Sequence, residues 1–322
     1  MSEVTKTRTL NMAFDSICKK RIDDSCNSDI WDLRRHWPRI RRKARLELLS
    51  GSYHLSPVSV VGNINGHRLT RWSAIDAVIL KAISIVITPC IQKGIDRRCY
   101  HIKGNGGLKV AVNTVRQAAK DYQFVVKSDI ADYYASMDHA IVMEQCSELI
   151  KDVKILEIIK QYLNRVEVKQ GEHSLIDRGI VKGCPLSPLM GAIMLKSLDK
   201  MVPKDCAYAR YQDDWVILTK TRGQLRNVVK KMHDVVHRLG FKLAYAKTFI
   251  GRIKKGFDFL GYRINRLGII GLSPKTIENH KEKLLALYEQ HASDTCVQQY
   301  KKNWHRWVRA GFEGAALRWL LT

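Results

Sequence analysis

Residues 209–218 read ARYQDDWVIL and set two carboxylates, Asp213 and Asp214, side by side in a chain with 55 Lys and Arg against 31 Asp and Glu. Residues 208–211 and 215–218 on either side are apolar and strand-like, so the pair falls at the tip of a predicted hairpin. A third acid, Asp129, ends a short apolar strand predicted over residues 124–130. With these strands as neighbours, three acids converge on one end of a sheet. Converging carboxylates repel, raise one another's pKa and call for a counterion. Magnesium takes oxygen ligands and bridges carboxylates to substrate phosphates. Two such ions about 4 Å apart activate a hydroxyl nucleophile and stabilise a leaving oxygen. The chemistry is that of phosphoryl transfer at a nucleic-acid 3′ end. An isolated Asp-Asp pair reads as a surface turn; the apolar flanks and the strand-end Asp129 weigh against that reading here.

The elements that must hold these acids mix helix and strand without a regular alternation. Residues 29–50 form a basic helix around Pro38, with Arg34, Arg35, Arg39, Arg41, Arg42, Lys43 and Arg45 too many for one face. That helix is either a solvated surface or an arm that grips a nucleic-acid backbone. Short β pieces with turns at Gly62 and Gly66 follow over 53–70, then a buried helix over 73–92. A glycine-rich basic loop, 98–109, with Lys103, Gly104, Gly106 and Gly107, leads into a helix over 108–121. Two helices are predicted over 139–166, a hairpin or loop over 173–183 and one helix over 185–202. The helix over 222–239 stops at Gly240; strands follow at 241–250 and 257–264, and the rest is helical. This pattern argues for an α+β layout, an antiparallel sheet covered by helices on one side.

The chain has 322 residues, 45% of them hydrophobic, so it can bury a core. Its formal net charge is +24, which favours a polyanionic partner, nucleic acid ahead of an anionic membrane surface. Charge kept only for solubility would carry self-repulsion with nothing to relieve it. The eight cysteines include no C-x-x-C pair, and no histidine pair completes a zinc pattern. They read as reduced thiols of a cytoplasmic protein. The N-terminus has no signal-peptide core. No run of about 18 apolar residues suggests a membrane span; the longest, 77–90, is interrupted by Lys81.

Five blocks in order resemble the reverse transcriptases, over roughly residues 30–265. YQDD, 211–214, fits the family's Y-x-D-D motif. KSDIADYYASMD, 127–138, resembles its first aspartate motif, with an aromatic, Tyr134, five residues after Asp129. GIVKGCPLSPLMGAIML, 179–195, resembles the Q-G-x-x-x-S-P block and its helix. RLGFKLAYAKTFIG, 238–251, is similar to the segment that carries a lysine. FDFLGYRI, 257–264, resembles the F-x-x-L-G-Y block of bacterial and group II intron-type enzymes. Lys182 stands where a glutamine is usual, which puts its template contact in question. The S-P ending argues against the diversity-generating branch, and the N-A-x-x-H and V-T-G blocks of retron enzymes are missing.

The resemblance implies a right-hand polymerase with fingers, an antiparallel-sheet palm and a short helical thumb. It places an N-terminal extension and fingers, with part of the palm, in 1–125, the palm with inserted finger elements in 126–265 and the thumb in 266–322. It implies two Mg2+ ions on Asp129, Asp213, Asp214 and the main-chain oxygen of Ile130, with Lys247 as general acid for pyrophosphate. Tyr134 would reject a 2′-hydroxyl, Arg68 and Arg71 would hold the triphosphate, and Lys182, Gly183 and Pro185 would line the nucleotide pocket. Phe259, Leu260 and Gly261 would grip the primer; a plain core hairpin is the competing reading. The expected partners are an RNA template, a DNA product and deoxynucleoside triphosphates, without a membrane.

A stand-alone bacterial enzyme with little chain after residue 265 is expected to depend on a dedicated noncoding RNA, a neighbouring gene product or self-association. Antiphage defence is the expected setting, from the company such enzymes keep. The rivals are an RNA-templated RNA polymerase on the same palm, a non-catalytic maturase-like RNA binder, and untemplated or repetitive DNA synthesis. The C-terminal run with Trp304, Trp307 and Trp319 among Arg306, Arg309 and Arg318 reads as an amphipathic helix or as a basic face for a duplex.

Overall fold

The computed structural model describes residues 1–64 and 67–312, without the side chains of residues 63, 64, 67 and 68. Gly66, expected at a turn, and Arg318 and Trp319 of the C-terminal run lie outside the described residues. In chain order the elements are α1 (Thr7–Lys20), α2 (Asp29–Ser50), β1 (Val58–Ile64), β2 (His67–Arg71), α3 (Ala74–Gly94), α4 (Gly107–Ala118) and β3 (Phe124–Ser128). Then come α5 (His139–Leu149), α6 (Val153–Leu163), β4 (Val166–Lys169), β5 (Glu172–Leu175), α7 (Ser187–Met194), α8 (Lys196–Met201), β6 (Ala207–Tyr211), β7 (Asp214–Thr219) and α9 (Arg222–Arg238). The chain continues with β8 (Phe249–Arg252), β9 (Phe257–Phe259), β10 (Tyr262–Asn265), β11 (Gly268–Leu272), α10 (Pro274–Glu289) and α11 (Asp294–Arg309).

These elements form two compact units, each built from separated stretches of chain. The first comprises Met1–Asp96, Ala131–Ser197 and His237–Phe241; the second comprises Arg97–Ile130, Leu198–Val236 and the chain from Lys242 on.

In the first unit α3 is the central helix, packed by α1, α2, α5 and α7. Ser73 caps it by accepting the Asp76 N–H, and Ile79, Leu80, Ile83 and Ile91 are fully buried. Among the described residues α3 alone is long and apolar enough to cross a membrane, which the run broken at Lys81 did not suggest. Its apolar residues lie in the core of the unit. Helix α2 is broken at His36 (φ −109°, ψ 16°), two residues before Pro38, whose ring clashes with the preceding turn. The sheet of this unit runs β2-β1-β4-β5 and is mixed, because β1 and β4 pair in parallel. The expected hairpin over 173–183 sits earlier: β4 and β5 turn at Gln170 and Gly171, both with positive φ.

The predicted helix over 185–202 is two, α7 and α8, divided at Leu195. The chain leaves the first unit for the second at Leu198, inside α8, so α7 belongs to the first unit and most of α8 to the second.

The second unit is organised by an antiparallel sheet in the order β6-β7-β3-β8. Helix α4 packs on β6 and against β10 and β11. Helix α9 turns Leu225, Val228, Met232 and Val235 inward at helical spacing. A second antiparallel sheet, β11-β10-β9, shares a core with α4 and α11 through Val112, Val115, Phe257, Phe259, Tyr262 and Val308. The strand expected over 241–250 is confined to its end, since the chain after Gly240 is drawn to the acid-bearing end of β3. The segment expected to be wholly helical after residue 272 is helical in α10 and α11.

Between β9 and β10 the chain turns at Leu260 (φ 48°) and Gly261 (φ 89°). A Cβ on Gly261 would stand 2.8 Å from the Trp307 ring and 3.0 Å from Thr276 Oγ1. Gly261→Ala is expected to lower stability by about 1–3 kcal/mol, read by urea unfolding; an unchanged midpoint would mean that the turn and α11 relax freely.

Candidate active site

The antiparallel register brings the three acids together. Ser128 pairs with Trp215 across β3 and β7, so Asp129, next in the chain, meets Asp214 at the start of β7. Tyr211 pairs with Asp214, which leaves Gln212 and Asp213 as the turn of the β6–β7 hairpin. Gln212 takes a positive φ of 58° to make that turn. Acids more than eighty residues apart in sequence thus share one sheet end.

The electrostatics of the cluster are those of crowded, desolvated carboxylates. Burial, the Asp129 charge and a hydrogen bond with Asp129 push Asp213 up to about 7. Burial is also the main cause that pushes Asp214 up to about 6, opposed by Lys127 and by the Leu260 N–H. Lys127 Nζ lies 3.7 Å from Asp214 Oδ1. Asp129 Oδ1 and Asp214 Oδ1 are buried without a hydrogen-bond partner.

Lys247 comes from a short 3-10 turn and forms an ion pair with Asp129 Oδ2; that bond raises its pKa. The segment that carries it is stitched to the end of β3. The Ala244 N–H donates to the Asp129 carbonyl at 2.8 Å, Leu243 bridges Ile130, and Ser128 and Thr248 hydroxyls lie 2.7 Å apart.

Two orphaned carboxylate oxygens beside a third acid suit a divalent cation. Among the described residues no three His, Cys, Asp or Glu side chains close into a metal cage; the Lys247 ammonium supplies positive charge to Asp129 instead. Asp129, Asp213 and Asp214 are the residues that would hold the ion, with the Ile130 backbone next in the chain.

The turn that carries Asp213 is braced from below. Arg210 is fully buried and grips Asp199 through two bonds, Nε–Oδ1 at 2.7 Å and Nη2–Oδ2 at 2.6 Å. Its Nη1 donates to the Gln212 carbonyl at 3.0 Å. His101 Nδ1 accepts the Gln212 N–H at 2.9 Å, and Tyr208 donates to Asp199 at 2.6 Å. Sequence reading missed Asp199 and His101. The one signal was Arg210 itself, a guanidinium inside an apolar strand that must find a carboxylate.

The remaining expected site residues divide between the units. Leu260 and Gly261 are in the second unit with the acids, and the Leu260 amide reaches Asp214. Phe259 is fully buried in the core, so the hairpin presents its turn and not the Phe259 ring. Tyr134, in the first unit, stacks on Tyr133, and a Cβ on Gly191 would lie 3.3 Å from its ring. Lys182 and Gly183 are exposed there, Gly183 at φ 82°, with Pro185 half-buried beside them. Arg71, also in the first unit, is ion-paired with Asp24 and donates to Ser28 at 3.2 Å. The backbone of Arg68 lies in β2, opposite Asn63.

Two outcomes follow. The Asp213 carboxyl titrates near 3.9 in an unfolded chain and near 7 when folded, so the folded state holds its proton more tightly. Stability of the metal-free protein therefore falls as pH rises from about 4 to about 7 and stays low above that. Asp213→Asn is expected to raise the melting temperature at about pH 8, a gain on the order of 1–3 kcal/mol, and the gain shrinks toward about pH 4. A variant no more stable at high pH would contradict the repulsion.

Asp199→Ala strands a buried guanidinium and is expected to cost about 3–5 kcal/mol in urea unfolding. Asp199→Ala with Arg210→Met is expected to recover most of that stability. A double variant as unstable as the single one would refute the stranded charge as the cause.

The family described as reverse transcriptase (RNA-dependent DNA polymerase) matches residues 67–264, more than half of the chain. Protein YkfC of Escherichia coli (strain K12) is 23% identical over 267 residues, covering 69% of this chain and 70% of that protein. The group II intron-encoded protein LtrA of Lactococcus lactis subsp. cremoris is 23% identical over 127 residues, 39% of this chain and 21% of its own. Among solved structures, telomerase from Candida albicans in complex with a TWJ fragment of telomeric RNA superposes with a TM-score of 0.50. That likeness, at 16% identity over 60% of this chain and 38% of the telomerase chain, is one of fold. With antiparallel sheets, helices and a Y-x-D-D hairpin in the right-hand polymerase arrangement, the chain belongs to the reverse transcriptase family of RNA-dependent DNA polymerases, which are nucleotidyltransferases.

Proposed function

We propose that this chain extends a 3′-hydroxyl with deoxynucleotides copied from an RNA template, using the sheet end that carries Asp129, Asp213 and Asp214. The observation that carries the reading is the convergence of three acids from β3 and the β6–β7 turn, two of them with raised pKa. Asp129 and Asp213 hold the cation positions, and Asp214 supports them while held by Lys127 and the Leu260 amide. Two bound magnesium ions would supply charge for the attacking hydroxyl and the departing pyrophosphate. Lys247 stands on Asp129 with its proton held firmly, suited to neutralise and protonate pyrophosphate as it leaves. Tyr134, a rigid ring against α7, excludes a 2′-hydroxyl; Lys182, Gly183 and Pro185 line the nucleotide pocket, and Arg68 and Arg71 meet the triphosphate. For Arg71 that requires its guanidinium to leave or share Asp24. The Leu260–Gly261 turn contacts the primer.

The proposal extends to fingers, palm and thumb at the sequence bounds given above, to a dedicated noncoding RNA as template and to antiphage defence as the setting. Its support is the +24 charge and the resemblance to bacterial enzymes. The proposed compartment is the cytoplasm, in keeping with eight free cysteines.

The test is primer extension on an RNA template with deoxy- and ribonucleotides in parallel. Magnesium-dependent DNA synthesis is expected, lost on the order of 10²–10³-fold in Asp213→Asn, with Tyr134→Ala admitting ribonucleotides. Full synthesis by Asp213→Asn would overturn the assignment. Sequencing of copurified RNA that returns no enriched species would remove the dedicated template.

A further inference from the structure

The end of the palm sheet opposite the acids carries a feature that polymerisation leaves unused. Phe124 begins β3 and pairs with Thr219 on one side and Arg252 on the other, five residues from Asp129. At the strand rise that is about 16 Å away. Here α9 and the edge strand β8 enclose a groove of about 530 Å3. Its rim carries Arg222, Arg226, Arg252 and Lys255. Arg222 and Arg226 stand one turn apart on the same face of α9. All four are exposed, and none forms an ion pair with a carboxylate among the described residues. Helix α9 holds no acid before Asp234. Asp205, at the same end of the unit, accepts from Gln224 Nε2 at 2.5 Å. The floor is apolar: Phe124 is half-buried, Ile250 is 45% exposed, and the Arg252 guanidinium lies 5.9 Å from the Phe124 ring.

We propose that this groove binds the phosphate backbone of a single-stranded RNA segment, outside the polymerising centre. Three of the four cations are guanidiniums, whose forks match phosphate oxygens two at a time. The exposed Arg252 guanidinium, which lies over the Phe124 ring, offers a plane against which a base stacks, as cation–π contacts do in sequence-tolerant single-strand sites. An acidic peptide would satisfy the charge as well, but a chain of this family works on RNA, and its excess of 24 positive charges selects a partner of high, regular negative charge. Held there, an RNA template is tethered by a part that is not being copied.

The experiment measures binding of a labelled 20-nucleotide single-stranded RNA of mixed sequence to the full chain, without nucleotides. It therefore reads the groove whether or not the acids polymerise. Arg222→Ala, Arg226→Ala and Arg252→Ala combined are expected to reduce the salt dependence of log K by about 2, and lysines at the same positions to restore it. A photocrosslinking residue in place of Val229, which lines the groove, is expected to capture the RNA and to lose it in the triple-alanine background. Removing Arg34, Arg35 and Arg42 from α2 is expected to leave that crosslink in place. An unchanged salt slope, or no crosslink at Val229, would overturn the proposal. Unchanged RNA binding with lost binding of a polyglutamate peptide would overturn it too, assigning the groove to an acidic protein segment.

Discussion

Mutual repulsion among three desolvated carboxylates is the constraint around which the second unit is arranged. Asp129, Asp213 and Asp214 are brought to one sheet end by a register that also builds the core. Slipping that register by one residue would turn every core side chain to the wrong face. The core thus enforces a juxtaposition that electrostatics opposes. The neighbourhood offsets it piecemeal: Lys247 on Asp129, Lys127 near Asp214, and a backbone amide from the β9–β10 turn. What is left over, two buried carboxylate oxygens without a hydrogen-bond partner, is the electrostatic demand that a divalent cation would meet.

Such strain is tolerable only on a rigid support. The buried Asp199–Arg210 pair adds little net stability by itself, since two ions taken from water lose about what they regain. Its value lies in geometry. One guanidinium joins a helix, a strand and the Gln212 carbonyl, while His101 takes the Gln212 N–H. Both backbone groups of a residue at positive φ are therefore fixed, and Asp213 follows it directly. The same logic holds at Leu260, where a left-handed non-glycine residue aims its amide at Asp214.

Much of the candidate site was legible in the sequence because strand ends and hairpin tips follow from local patterns. Asp129 after an apolar run, and the QDD turn between two apolar flanks, need only period and composition. The braces were not legible, because Asp199 and His101 reach Arg210 and Gln212 through tertiary packing that no spacing encodes. The predicted continuous helix over 185–202 failed for the same reason: propensity favours it throughout, but it breaks at Leu195, just before the chain passes from the first unit to the second within α8. Two interleaved units likewise cannot be read from a linear pass, since His237–Phe241 returns to the first unit after a whole excursion in the second. Trp215, beside the acids, proves to be core: it is fully buried, and its indole N–H has no partner.

One sheet thus separates two kinds of charge. The three converging acids lie at the end where β3 stops, and arginines without an ion pair among the described residues gather where it starts. Between them Val125, Val126, Val216 and Ile217 of the central strands are buried, so an apolar, low-dielectric layer lies between the two ends. Counter-charge from the basic end is then too far away to neutralise the acids, which is why local lysines and a metal-ready geometry are needed there. The basic end is in turn the one proposed to meet an external polyanion. Arg210, the arginine that reaches the acid-bearing turn, is neutralised by Asp199, and the arginines of the basic groove stand at a distance from the acids. In this chain the length of β3 sets that distance.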